Sequence, residues 1–448
     1  MTDMNVSAAL SNAISAVLSQ TTNTEFILDI QFTNTDDPSY NYSPQWIDIF
    51  TITQSFAEDF ADRVTLELTL APQDYINLFN NSKSLQVAIR IVYFNSQITQ
   101  RVFSPAPVSR IYKALLVDPK DISKQYVTGS LMPTQTMPLT EQHISTRIPA
   151  KLNLIEASAY TLRQQKFHGI YQKQNVSDVI SHIVQSFSIK SVHLVTPDNT
   201  MVWDHIVIPP SQGINEIFDY LQYMYGVYMK GMDWYYTNSV LYIYPAYENN
   251  PSIPYQANIY NAAEGSYGGM HSYHTNPSPD LLNIVSTTAV QTTDLSRPSA
   301  ENVGTGFSFM RASTLLDRYA NTTAKGTFIT DKTSLSVGTT TDRAMSNNAH
   351  NPVHTKTTDN IFEQNSRLAK WNTAVLECGW KNAVPYLLYP GHNIHYHFDK
   401  ASVFTTQQGI LERVLYRFDR QRQMSSGFVY GGNALLRFRV DSDVKNAQ

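Results

Sequence analysis

His392, His395 and His397 stand close together in Gly391-His-Asn-Ile-His-Tyr-His-Phe-Asp399. On a strand, His395 and His397 project from the same face, about two residues' rise apart. Two imidazoles at that spacing can share a metal ion, with Asp399 on the same face as a third ligand. The opposite face would carry Ile394, Tyr396 and Phe398. Ordinary half-buried strand patterning therefore accounts for the same residues more simply. His350 and His354 bracket a proline, so they are not a clean helical pair, and His271 and His274 lie in a Gly- and Tyr-rich stretch. The reading is no metal and no cofactor, with His395, His397 and Asp399 kept as the candidate ligand set.

Other reactive groupings are sparse. The chain has no Gly-x-Ser-x-Gly elbow, no His-Glu-x-x-His and no Gly-x-x-x-x-Gly-Lys phosphate loop. Gly304-Thr-Gly306 lacks the third glycine of a dinucleotide fingerprint. Glu58, Asp59 and Asp62 cluster before a strand. Paired carboxylates across a cleft cleave glycosides, but a solvated loop is the simpler expectation here. Cys378 sits among alternating apolar residues and reads as an inert core thiol. Arg413, Arg417, Arg420, Arg422, Arg437 and Arg439 make the C-terminal strands locally basic. They form either a patch that meets an acidic partner or nucleic acid, or a solvated outer face with Glu412, Asp419 and Asp441, and the second is favoured. No catalytic residue is assigned.

These residues must be positioned by β-structure at both ends of the chain. Residues 8–18 carry Leu10, Ile14, Val17 and Leu18 at helical spacing. Strict alternation then marks strands at Phe26–Phe32, Val64–Leu70 and Leu85–Tyr93, with further strands at 46–53 and 108–117 and one or two helical turns at Gln73–Phe79. Alternation of this kind implies antiparallel strands with one buried face. The texture changes near residue 148. After a strand at Ile148–Ile155, Val176, Val179, Ile180, Ile183, Val184 and Phe187 form an apolar helical stripe, N-capped by Asn175 with Asp178 in the first turn. A second helix follows Pro209-Pro210 on Ile214, Ile217, Phe218, Leu221 and Tyr225 and ends at Gly226. A hairpin should follow, from Val227-Tyr-Met to Leu241-Tyr-Ile-Tyr and Pro245. Residues 286–360 are rich in Thr, Ser and Asn and read as an insertion. After a helical stretch at 362–371, alternation resumes at Ala374–Trp380, Ile394–Phe398, Ile410–Phe418 around an exposed Glu412, and Leu436–Val440.

Composition narrows the function. Charged residues are 16% of the 448-residue chain, against about 25% in ordinary soluble domains. There are 27 tyrosines. A charge-poor, tyrosine-rich surface suits one covered by partners. The formal net charge of −4 argues against a protein that neutralises phosphates, so no sequence-specific nucleic-acid binding is expected. One cysteine excludes an internal disulfide framework and a cysteine-based zinc cluster. Met1-Thr2-Asp3-Met4 carries no Lys or Arg before its apolar residues, so no signal peptide is expected, and no apolar run approaches a membrane span.

Three segments in order resemble the baseplate hub protein of contractile-tailed phages, which is related to the hub part of secretion-system spike proteins. Trp46–Ile91, with Arg63-Val-Thr-Leu-Glu-Leu-Thr-Leu70 at its centre, looks like the opening of the hub's first tube-like barrel. Ile208-Pro-Pro-Ser-Gln-Gly-Ile-Asn-Glu-Ile-Phe-Asp-Tyr-Leu-Gln-Tyr-Met-Tyr-Gly226, with Trp234-Tyr-Tyr and Leu241–Pro245, is similar to the hub's middle domain. Phe362–Val440, with Leu388-Tyr-Pro-Gly391 and Gly409-Ile-Leu-Glu-Arg-Val, resembles the returning barrel. The resemblance implies an α+β fold, mostly antiparallel β, with two tube-protein-like β-barrels and a smaller α/β middle domain. The expected division is an N-terminal helix or arm at 1–22, a first barrel at 23–147, a middle domain at 148–250, and a second barrel at 251–448 carrying the insertion. It further implies a non-enzymatic homotrimer forming a pseudo-sixfold ring in the virion tail, made in the host bacterial cytoplasm. Its partners would be a spike protein and the tail tube protein, with tape measure and baseplate wedge proteins as further candidates. The alternatives are a tube-end or hub component of another contractile injection system, a tail-associated enzyme that degrades the cell envelope, and a metal-binding adhesin.

Overall fold

The computed structural model describes residues 7–18, 25–44, 47–56, 59–94, 107–119, 148–187, 189–249, 255–262, 272–275, 282–286, 289–292, 362, 366, 369–370, 373–400, 403–424 and 427–441. Glu58, His271, His350, His354, Gly304-Thr-Gly306 and most of the 286–360 and 362–371 stretches lie outside these residues.

The alternating segments form strands as their spacing dictates. They are β1 (Glu25–Asn34), β3 (Ile47–Ser55), β4 (Arg63–Leu70), β5 (Leu85–Phe94), β6 (Val108–Pro119) and β7 (Ile148–Glu156), with a short β2 (Asn41–Tyr42) beside β1. Phe26, Leu28, Ile30 and Phe32 all point into the core, as do Val64, Leu66, Leu68 and Leu70. Helix α1 (Ala8–Leu18) precedes them, and α2 (Pro72–Asn80) links β4 towards β5.

Two C-terminal strands are far longer than their alternation implied. β19 (Val403–Met424) has 22 residues and β20 (Gly427–Asp441) has 15, and the two pair with each other. Residues 413–419 of β19 also pair with β3, and Val429–Gly431 of β20 pair with β1. The antiparallel order β3-β4-β7-β6-β5-β1-β20-β19 therefore returns to β3, a closed circuit of eight strands. β7 belongs to this circuit although it lies just past residue 147, and the circuit's closing strands come from the far end of the chain.

The other halves of the same two strands serve a second group. Residues 403–410 pair with β18 (Asn393–Lys400), and Asn433–Asp441 pair with β17 (Thr373–Lys381). β18 continues through parallel β13 (Tyr255–Asn261) and β15 (Leu282–Ser286) to antiparallel β14 (Ser272–Thr275), while β17 carries β16 (Ala289–Thr292). A bulge between Leu411 and Arg413 marks where β19 passes from one group to the other. Bulges bend a strand and re-aim its side chains.

Residues 157–249 form the α/β part. It holds α3 (Ala157–Gln164), α4 (Val176–Ser186), α5 (Ile214–Met224), a ribbon of β8 (Lys166–Gln174) with β10 (Trp203–Gly213), and a mixed sheet in which β12 (Val240–Pro245) pairs antiparallel with β11 (Met232–Thr237) and parallel with β9 (Ser191–Leu194). The first hairpin arm is thus Met232–Thr237 rather than Val227–Met229, because the turn is Asn238-Ser239, both at positive φ. The Asn175 carboxamide accepts from the Asp178 N–H at 2.8 Å, the expected cap, and Gly226 at φ +76° ends α5. The α4 and α5 stripes pack on Trp234, Leu241 and Ile243, and Ile155 of β7 with Phe60 and Ala61 of the β3–β4 connection enter this same core. No helix among the described residues is long and apolar enough to cross a membrane.

Candidate functional site

The residues that carry charge inside this molecule gather at two junctions between its parts. The first lies where β3, β4, β6 and β7 meet β11. Asp62, wholly buried, accepts from Gln54 Nε2 at 3.1 Å, from Thr237 Oγ1 at 3.2 Å and from the Tyr235 hydroxyl. Nearby, the Tyr112 and Tyr386 hydroxyls lie 2.5 Å apart, and the Arg110 guanidinium sits 4.7 Å from the Tyr386 ring centre. Glu156 lies 3.9 Å from Arg110 and accepts from the Asn238 N–H at 2.9 Å, tying β7 to the hairpin turn. Burial, with the Glu156 charge adding to it, pushes Asp62 up to about 6, against Arg110, Tyr235 and Gln54, which lower it. Asp62 is therefore not in a solvated loop, as the sequence implied. Tyr236 N–H also donates to Phe60 O at 2.7 Å, extending the junction by backbone.

The second junction centres on Arg439. Its Nε donates to Glu412 at 2.9 Å, and its Nη1 donates to Asp233 at 2.7 Å and to Ala246 O at 3.0 Å. Its guanidinium carbon also lies over the Phe56 and Tyr247 rings, 4.6 and 4.5 Å from their centres. Arg437 adds a second ion pair to Glu412 at 3.3 Å. Burial opposes the charge on Arg439, but Asp233, Tyr247 and Glu412 outweigh it and keep the group protonated. Asp233 is pushed up to about 6 by burial, with Arg439 pulling the other way. Glu412 is buried, not exposed, because it occupies the β19 bulge, and Arg439 is correspondingly not part of a solvated basic face. Arg417 is such a surface group, paired with Asp419 at 2.9 Å. Beside this junction is a cleft of about 370 Å³ lined by Phe56, Asp59, Arg63, Arg163, Asp219 and Trp234. There Asp59 pairs with Arg63 and lies 3.8 Å from Arg163.

The candidate metal residues are on β18. His395 and His397 do share a face, their ring centres 5.9 Å apart. His395 stacks on Tyr255 and His397 on Tyr260 and Phe404. His397 Nδ1 contacts Thr406 Oγ1 at 2.8 Å. Burial, with His395 alongside, holds His397 down to about 4, and burial holds His392 down to about 4. Asp399 is engaged elsewhere. It accepts from Ser7 N–H at 2.7 Å and Ser7 Oγ at 2.5 Å, fixing the start of α1, whose Leu10, Ile14 and Val17 cover Ala262 and Val285. No group of three metal-ligating side chains comes together among the described residues. Cys378 is buried and its thiol is pushed up to about 12 by burial.

The junction residues Arg110, Tyr112, Glu156, Asp233, Tyr235 and Tyr386 were not singled out by the sequence. Their only signal was the abundance of tyrosine. In both clusters buried polar side chains from different elements bond one another, which holds parts of one chain in fixed relation.

The fold thus defines a scaffold of two strand groups tied by one hairpin, with an α/β part locked against it. The chain belongs to the Bacteriophage PBS1 gene 109 protein family, whose model matches residues 14–261. Among solved structures it is similar to a tail protein from Neisseria meningitidis MC58, at 10% identity over 92% of this chain and 96% of that one, with a TM-score of 0.45. It is also similar to the 43 kDa tail protein of prophage MuSo2 from Shewanella oneidensis, at 9% identity over 92% and 97%, with a TM-score of 0.42. A third similar structure is an E. coli component of the type VI secretion system, at 11% identity over 92% and 77%, with a TM-score of 0.39. No curated protein matches the sequence.

Proposed function

We propose that this chain is a structural baseplate hub subunit of a contractile phage tail. The observation that carries the reading is the shared β19–β20 hairpin, which makes one polypeptide present two strand groups side by side. We read these as two tube-like barrels: the first from β1–β7 closed by residues 413–431, the second from β13–β18 with the remaining halves of β19 and β20. Two like units per chain, in three copies, give six units around an axis. Such a trimer meets a sixfold tail tube on one side and a threefold spike on the other, and the genome passes through its centre. Closed symmetric association needs large interfaces on each copy, and a chain with only 16% charged residues is poor in the groups that interface cores exclude. Membership in a family described by a bacteriophage protein supports placement in the virion. The partners on this reading are two further copies, the spike and the tube protein, with tape measure and wedge proteins at the periphery. Its role is to join and transmit, without chemistry of its own.

Electron microscopy of the purified chain mixed with the spike and tube proteins of its own phage tests this. Threefold rings with six similar lobes, seated between tube and spike, are expected. Single particles decorating neither partner would refute it.

A further inference from the structure

The ribbon of β8 and β10 is packed on one face and open on the other. Phe167, Tyr171, Ile206 and Ile208 turn inward to the α4 and α5 core. Ile170 and Val207, directly opposite in register, turn outward at 68% and 41% exposure, with Met201 and Val202 exposed nearby. Folding of the ribbon does not require apolar residues there.

The two edges of the ribbon differ. On β10, Val207 N–H donates to the Tyr225 hydroxyl at 2.7 Å, and the Tyr220 hydroxyl donates to Val207 O at 2.8 Å. Pro209 and Pro210 remove two further donors from this strand. Its edge is therefore blunted, as proteins blunt edges that must not pair. Among the described residues, the β8 edge has none of this. Because Val207 directs its backbone groups away from β8, its opposite number Ile170 directs its own away from β10. With a period of two, His168 and Gln172 do the same. No described group bonds to these backbone groups. Lys166 and Lys173 flank them, and β8 contains no acidic residue.

We infer that the free edge of β8 is a docking site for an extended segment of another protein chain, which adds as a third strand. The segment's backbone would pair with His168, Ile170 and Gln172. Its outward apolar residues would cover Ile170 and Val207, and its acidic ends would meet Lys166 and Lys173. Main-chain pairing supplies affinity in this mode, and alternate side chains supply selectivity.

The test uses the full chain and two synthetic probes as long as β8, which has nine residues. Both alternate valine and threonine, and one ends in glutamates, the other in lysines. Amide exchange on the free protein should show His168, Ile170 and Gln172 unprotected. The glutamate-ended probe should protect these three and bind roughly tenfold more tightly than the lysine-ended one, since it exchanges two exposed like-charge contacts for two opposite-charge ones. Ile170→Pro removes an outward N–H that the ribbon does not use, and should abolish binding. The pair Lys166→Glu and Lys173→Glu keeps the backbone intact and should reverse the preference between probes. Equal binding of both probes, or binding unchanged by Ile170→Pro, overturns the inference. So does protection of these amides in the free protein that is lost on dilution to monomers, since the occupant is then a second copy.

Discussion

Replacing Arg439 with methionine keeps most of the side chain's length and removes its charge. Glu412 and Asp233 are then left buried without their main partner, and the Ala246 carbonyl loses a donor. Breaking a buried pair in this way costs about 3–5 kcal/mol, because the uncompensated charges stay in the interior. Arg417→Met is the internal control. Its pair with Asp419 is exposed, and such pairs contribute about 1 kcal/mol or less. Urea unfolding followed by tryptophan fluorescence is a suitable assay, since Trp234 lies next to Asp233. Neutralising both carboxylates in the same chain, with Asp233→Asn and Glu412→Gln, should restore more than half of the loss. The deficit should also shrink on acidification. Asp233 is already pushed up to about 6 by burial, and losing Arg439 removes a lowering influence, so protonation below that value relieves the buried charge. If Arg439→Met costs no more than Arg417→Met, the second junction does not hold the parts together.

Further outcomes follow from single sites. Asp62 has a folded value of about 6 against 3.8 for the free group, so its contribution favours the fold fully below the free value and is lost as pH rises through 6. Relative to Asp62→Asn, the wild type should therefore lose about 2 kcal/mol of unfolding free energy between pH 4 and pH 7, and a difference that stays constant across that window refutes this. Asn175→Ala removes the α4 cap and should cost about 1 kcal/mol in the same unfolding assay. Cys378 should resist a thiol-reactive dye in the native protein and react fully once it is unfolded, because it is buried and its thiol is pushed up to about 12. Rapid labelling of the native chain would contradict that.

The strands β1, β4 and β5 were legible because each has one face in the core, so period-two alternation survives in the residue types. α4 and α5 were legible because stripe and end signals agree: Asn175 caps one and Gly226 ends the other. The β8–β10 ribbon was not legible, since its outward face carries Ile170 and Val207 and its inward face includes Gly169, which erases the contrast between faces. β10 also contains Pro209-Pro210, which reads as a break. The lengths of β19 and β20 were hidden because each changes partners midway, at a bulge that alternation cannot register. Glu412 was misread for the same reason: period two placed it outward, and the bulge turned it to Arg439. The junctions were out of reach because their partners lie far apart in the chain. Arg439 and Asp233 are separated by 206 residues, and Asp62 and Tyr235 by 173. Of the histidine face, the sequence correctly set His395 and His397 side by side, but the bonding of Asp399 to Ser7 depends on α1 returning across the sheet.

The most direct test of the central claim is the mass of the purified chain in solution, alone and with the spike and tube proteins of its phage. The account predicts three times the 50.7 kDa of one chain, either alone or once the spike is added. A chain that stays at 50.7 kDa in the presence of both partners contradicts it.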